Sequence, residues 1–179
     1  MARDTDRSHL HPAFRALAAK LDARIAAAGL QMALFEGARP PDRQRDLFFQ
    51  GRVAGLGTPG HYVTKARPWG SFHQFAMAGD WVFNPNGVWT WNEPEPGQWQ
   101  KYTELAAAVG LRTLDFERPH AELPLRLADL QAGTFPAGGD DTWEAWIDAQ
   151  IEAWGGPQMV LGVSVAAPPE PNQRPPLVA

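Results

Sequence analysis

The sequence predicts an α+β fold in a single domain, and three observations predict it. Apolar residues recur at helical spacing over residues 12–28, from Trp99 to Val109 and over 141–154. Shorter apolar or alternating runs at 30–36, 74–83 and 111–116 read as extended strands. Helices and strands follow one another without the strand–helix–strand regularity of a parallel sheet.

The first helix places Phe14, Leu17, Ala18, Leu21, Ile25 and Ala28 on one stripe; Pro12 suits its first turn and Gly29 its stop. Residues 30–36 form a short buried strand ended by Gly37, and Pro41 opens a second helix that runs to about Gln50 with Gly51 as its cap. Residues 55–60 are a Gly/Pro-rich loop, and His61–Thr64 is expected to be a short strand. In 74–83, Phe75, Met77, Trp81 and Phe83 share one parity while Ala76, Ala78 and Asp80 share the other. A strand would put the bulky set in the core and clear space around Asp80 on the opposite face. Residues 84–97 are a turn-rich loop carrying Trp89 and Trp91; a third helix with Trp99, Tyr102, Leu105, Ala106 and Val109 ends at Gly110. Residues 111–116 are extended, and Ala121–Leu123 continue beyond His120. Asp141 and Glu144 have the spacing of a capping box for the last helix, whose stripe includes Trp143, Ile147, Gln150 and Trp154. From Pro157 onward a proline-rich tail cannot form a helix. The expected organisation is a domain over 1–156 and a tail over 157–179.

The formal charge of −4 argues against nucleic acid as a partner, because that needs a basic surface. No apolar run reaches the length of a transmembrane span. The polar N-terminus does not read as a secretory signal, so synthesis in the cytoplasm is expected. The absence of cysteine removes thiolate metal sites, thiol catalysis and disulfides.

Against that background, Ser71-Phe72-His73-Gln74-Phe75-Ala76-Met77-Ala78-Gly79-Asp80 and Glu117-Arg118-Pro119-His120 carry the chemistry. They offer two imidazoles and a carboxylate as candidate metal ligands, with a further carboxylate three residues before the second histidine. Three N/O ligands with a fourth position open distinguish a catalytic zinc site from a closed structural one. On residue types alone the set is either a hydrolytic zinc site or no metal site at all. A buried Asp80 needs a compensating partner, and an arginine would serve as well as a metal ion. His61 reads as a strand or rim residue, and His9 and His11 as surface residues near the terminus. Trp143, Trp146 and Trp154 read as packing residues, while Trp89 and Trp91 are candidates for a cleft wall.

Ser-x-His-x-x-[Gly]-x-Ala-x-Asp followed by [Asp/Glu]-x-Pro-His resembles the signature of the M15 zinc peptidases. These are the D-Ala-D-Ala dipeptidases and carboxypeptidases and the phage L-alanyl-D-glutamate endopeptidases. Upstream, Glu36-Gly37-Ala38-Arg39, Gln44, Gln50-Gly51-Arg52 and Val63-Thr64 are similar to the endolysin-type branch, so the resemblance covers residues 30–123, with a helical extension over 124–156. It implies a Hedgehog/DD-peptidase-like fold with a small central antiparallel sheet flanked by helices. It implies Zn2+ held by His73, Asp80 and His120, with Glu117 as general base. Arg39 would contact substrate and stabilise developing negative charge, and Ser71 would contact substrate or support the ligands. Two positions depart from the pattern: Ala76 stands where glycine is usual, and Gly110-Leu111-Arg112-Thr113-Leu114-Asp115 replaces a Gly-Gly-Asp-Trp element, leaving the role of Asp115 open.

The expected function is hydrolysis of the peptide stem of bacterial peptidoglycan by an endolysin-like, phage or prophage L-alanyl-D-glutamate endopeptidase. It would be a monomer acting on the cell wall after release from the cytoplasm. A D-Ala-D-Ala dipeptidase or carboxypeptidase is the alternative within the resemblance. A catalytically inactive wall-binding or phage structural protein is the alternative outside it.

Overall fold

A computed structural model of the protein describes residues 2–154. The end of the expected domain and the proline-rich tail lie outside the described residues. Within them are five α-helices and one four-stranded antiparallel sheet, as an α+β fold requires. The elements are α1 (Pro12–Ala27), β1 (Met32–Glu36), α2 (Pro41–Phe49), β2 (Ala78–Phe83), α3 (Gln98–Ala108), β3 (Arg112–Leu114), β4 (Glu117–Glu122), α4 (Leu127–Gln131) and α5 (Asp141–Ala153). The sheet order is β1-β2-β4-β3. No helix among these residues is long and apolar enough to cross a membrane.

α1 forms where the sequence spacing predicts it, with Phe14, Ala18, Leu21 and Ile25 buried. Its N-cap is His11, whose Nδ1 accepts the Ala13 N–H at 3.2 Å, and whose ring packs edge-on against Trp143 with centroids 4.6 Å apart. The expectation that His11 lies at the surface is therefore wrong: it is fully buried. Proximity to the terminus misleads here because the cap is covered by α5.

β2 is the central strand that positions the site. Trp81 and Phe83 are fully buried on the face covered by α1 and α3, where Trp81 meets Phe14 and donates to Asp22 at 2.8 Å. Burying a large side chain is worth roughly 1.5–3 kcal/mol, whereas a one-residue slip would expose Trp81 and Phe83 and turn Asp80 into the core. The parity seen in the sequence thus fixes which way Asp80 faces. The strand begins only at Ala78, however; residues Phe72–Phe75 form a 3-10 turn, and Ala76 has left-handed backbone (φ 57, ψ 34). His61–Thr64 is not a strand. The helix-capping residue of α5 is Asp140, not Asp141: its carboxylate accepts the Trp143 N–H at 3.0 Å.

Gly79 is demanded by packing. A Cβ there would come within 2.8 Å of Leu34 and 2.9 Å of the Trp81 ring, closer than carbon atoms tolerate. α5 packs behind the 3-10 turn, with Trp143 donating its indole N–H to the Phe75 carbonyl at 3.1 Å. Trp143, Trp146 and Trp154 are all buried, as packing residues should be.

Candidate metal centre

The polar face of the sheet carries a row of ionisable side chains set by strand register. Glu36 of β1 pairs with Asp80 of β2, and Asp80 pairs with His120 of β4. Two irregularities make this possible. Leu34 pairs with Trp81 on the core side, and a shift between Leu34 and Glu36 turns Glu36 to the other face. In β4 the pairing with β3 jumps from Thr113–Ala121 to Leu114–Glu117. Residues three apart point to opposite sides of a regular strand, but this bulge lets Glu117 join Asp80 in lining the cleft while His120 meets Asp80 beneath it.

His73 arrives from the 3-10 turn. Ser71 caps that turn: its hydroxyl accepts the His73 N–H at 3.4 Å, and the Gln74 side chain accepts the Ser71 N–H at 3.0 Å. Left-handed backbone costs a non-glycine residue roughly 1–2 kcal/mol, and Ala76 bears that cost where it ends the turn. The Ala76 methyl is fully buried, and that burial offsets about 0.8 kcal/mol of the strain.

His73, Asp80 and His120 each offer one ligand atom, and these atoms lie within 4.8 Å of one another. His73 Nε2 is 3.2 Å and His120 Nδ1 is 3.3 Å from the same oxygen, Asp80 Oδ1. Two ligands about 2.0–2.1 Å from a tetrahedral metal stand about 3.3 Å apart, so this donor set fits a single ion. Imidazole and carboxylate donors admit several divalent metals.

The atoms behind the ligands orient them. His73 Nδ1 donates to the Gly37 carbonyl at 2.6 Å, which points Nε2 at Asp80. His120 Nε2 donates to Glu122 at 2.9 Å, and Arg112 holds Glu122 through contacts of 2.8 and 2.6 Å. Such carboxylate–histidine and carbonyl–histidine pairs fix the tautomer that a metal needs. Asp80 Oδ2 accepts from Arg39 Nη2 at 2.9 Å. Arg39 also bonds Glu36 and Gln44 at 2.9 Å each, and Gln44 receives Gln74 at 3.0 Å. Asp80 is therefore answered both by an arginine and by the histidines.

Electrostatics follow from this packing. Burial opposes the Asp80 charge, but His73, His120 and Arg39 together hold its carboxyl well below the usual carboxylate range. Burial also opposes charge on His120; Asp80 and Glu122, one at each ring nitrogen, outweigh it and raise the imidazole to about 9. Without a metal, the ring is held doubly protonated below about pH 9.

Asp80, alone of the three candidate ligands, opens onto a cleft of about 470 Å³; His73 and His120 are buried and not among its lining residues. Asp80, Arg39, Glu117 and Asp115 line it, with Trp91 and Phe116 among its apolar wall. Trp91 thus takes the position expected of a cleft wall. Trp89 packs edge-on against Phe35, and His61 is exposed and is not among the cleft-lining residues. Ser71 likewise is not among the lining residues; its contact is with the backbone of His73. Sequence reasoning missed Glu122 and Arg112. The signal for Glu122 was its place two residues beyond His120, on the same face of a strand.

No protein-family model matches this chain, and no curated protein matches it.

Proposed function

We propose that this protein is a zinc-dependent peptidase that cleaves the peptide stem of bacterial peptidoglycan, as an endolysin-like L-alanyl-D-glutamate endopeptidase of the M15 type. The observation that carries the proposal is the convergence of His73, Asp80 and His120 on a shared point beside a cleft that Glu117 and Arg39 line. The sheet with its polar, ligand-bearing face supports a Hedgehog/DD-peptidase-like arrangement.

When bound, a divalent zinc supplies Lewis acidity: it polarises a peptide carbonyl and makes a water molecule acidic near pH 7. The residues do the rest. Glu117 takes a proton from the attacking water as the new C–O bond forms and the carbonyl π pair moves onto oxygen; that pair then returns as the C–N bond breaks, and Glu117 gives its proton to the leaving amine. Arg39 fixes the Asp80 oxygen that does not face the histidines, and its charge beside the cleft opposes the negative charge that develops on the carbonyl oxygen. The buried Arg39–Glu36–Asp80 cluster contributes little net stability, because desolvating such charges offsets their attraction. A role in holding a ligand accounts for it better.

The test is incubation of zinc-loaded protein with purified muropeptides and identification of the new termini by mass spectrometry. A new N-terminal D-glutamate is the expected product, and Glu117→Gln is expected to retain zinc but release no product. Free D-alanine would point instead to the dipeptidase or carboxypeptidase alternative. Wall binding without turnover would point to an inactive binding protein.

A further inference from the structure

Three guanidiniums line the cleft: Arg39, Arg43 and Arg118. Arg39 is committed to Glu36, Gln44 and Asp80, and Arg43 is tied to Glu36. Arg118 is exposed and, among the described residues, makes no ion pair or side-chain hydrogen bond, although Asp115 and Glu117 lie close to it in sequence. It also lines an adjoining lobe of about 350 Å³ that runs over the start of α3 past Gly97 and Gln100. Trp99, Asp115 and Arg118 border both spaces, so Arg118 stands where the cleft passes into the outer lobe.

We propose that Arg118 selects a ligand carrying a free carboxylate on the amine side of the bond that is cut. The proposal rests on the peptidase reading above. Glu117 hands its proton to the leaving amine, so the amine-side residue lies toward Glu117, and Arg118, which lines the same cleft, also comes from β4. In the peptidoglycan stem, D-glutamate is joined onward through its γ-carboxyl, which leaves its α-carboxylate free beside the L-alanyl bond. A planar fork of N–H donors with no acidic partner is suited to grip such a group in bidentate fashion. Cleft charge works in the same direction. Glu36, Asp80, Asp115 and Glu117 are balanced by the three arginines and the protonated His120, and exchanging the His120 proton for a divalent ion adds one positive charge, favouring an anionic ligand in the loaded protein.

The experiment is a calorimetric titration of the full chain in the Glu117→Gln background, zinc-loaded and metal-free. The probes are L-alanyl-D-glutamate with a free α-carboxylate and the same dipeptide as its α-carboxamide. The carboxylate form is expected to bind about tenfold or more tightly than the carboxamide, and more so with zinc. Arg118→Gln should bring the two affinities together by weakening only the carboxylate form, and Arg118→Lys should keep part of the preference. Equal affinities in the Glu117→Gln parent, no binding of either probe, or a preference that survives Arg118→Gln would overturn the proposal. Because the readout is binding, it stands apart from the muropeptide assay: a carboxylate preference without turnover would sink the peptidase reading alone.

Discussion

Asp80 uses its two oxygens for different purposes, and that division explains most of what surrounds it. Oδ1 is shared by the two imidazoles while Oδ2 is pinned by Arg39, so the carboxylate cannot rotate away from the histidines. His120 is held in the same manner from behind, through Glu122 and then Arg112. Glu122→Gln keeps the shape of that support but removes its charge and weakens the Arg112 pair. We expect metal affinity to fall by about 10–100-fold, measured by competition with a chromophoric chelator, with the fold retained. An unchanged affinity would show that Glu122 does not orient His120. His120 also sets a pH dependence. Its folded-state value is raised from 6.5 to about 9, so its protonation stabilises the metal-free protein. That contribution is complete below about 6.5 and is lost as pH rises through about 9. The melting temperature of chelator-treated protein should therefore carry a component that falls across this window, and His120→Gln should lack it. In the same window, metal binding should release a proton.

At the scale of elements, the site depends on a central strand paired with two neighbours whose register is broken. β2 holds Asp80 because Trp81 and Phe83 lock its other face into the core, and Gly79 leaves room for the Trp81 ring. Gly79→Ala should force Leu34 and Trp81 apart and destabilise the protein by about 1–3 kcal/mol, read from its urea midpoint. A midpoint within error of the unsubstituted protein would mean that the strand is less tightly packed than described. The parity of 75–83 was legible in the sequence because Phe75, Met77, Trp81 and Phe83 fall on one side of the alternation and Ala76, Ala78 and Asp80 on the other, with Gly79 the exception on the bulky side. The turn at 72–76 was not, because Phe75 and Met77 continue the same alternation while Ser71 and Gln74 cap a 3-10 turn. The bulges in β1 and β4 were also invisible, since nothing local marks an extra residue until pairing partners are known. His61–Thr64 looked like a strand by composition, but no neighbouring strand pairs with it.

For the whole molecule, segments distant in sequence meet around the His73 turn. Gly37 and Arg39 clasp the His73 turn through the His73 ring and the His73 carbonyl, the latter at 3.0 Å from the Arg39 amide. Gln44 joins Arg39 to Gln74 and reaches the Ala66 carbonyl at 2.8 Å. The ligands themselves were legible because imidazole and carboxylate chemistry restricts what can hold a metal. Their supports were less so, because a carbonyl or a glutamate acquires that role only through folding. α5, which the sequence marked only as a tryptophan-bearing helix, buttresses the turn from behind through the Trp143–Phe75 bond. All of this serves one claim, that the fold builds a three-ligand metal centre, and metal content tests it most directly. Elemental analysis of protein dialysed against zinc and then against metal-free buffer should find one zinc per chain, and His120→Ala should abolish that binding while leaving the circular-dichroism spectrum intact. A folded parent protein that retains no metal, or a His120→Ala variant that retains as much as its parent, would contradict the account.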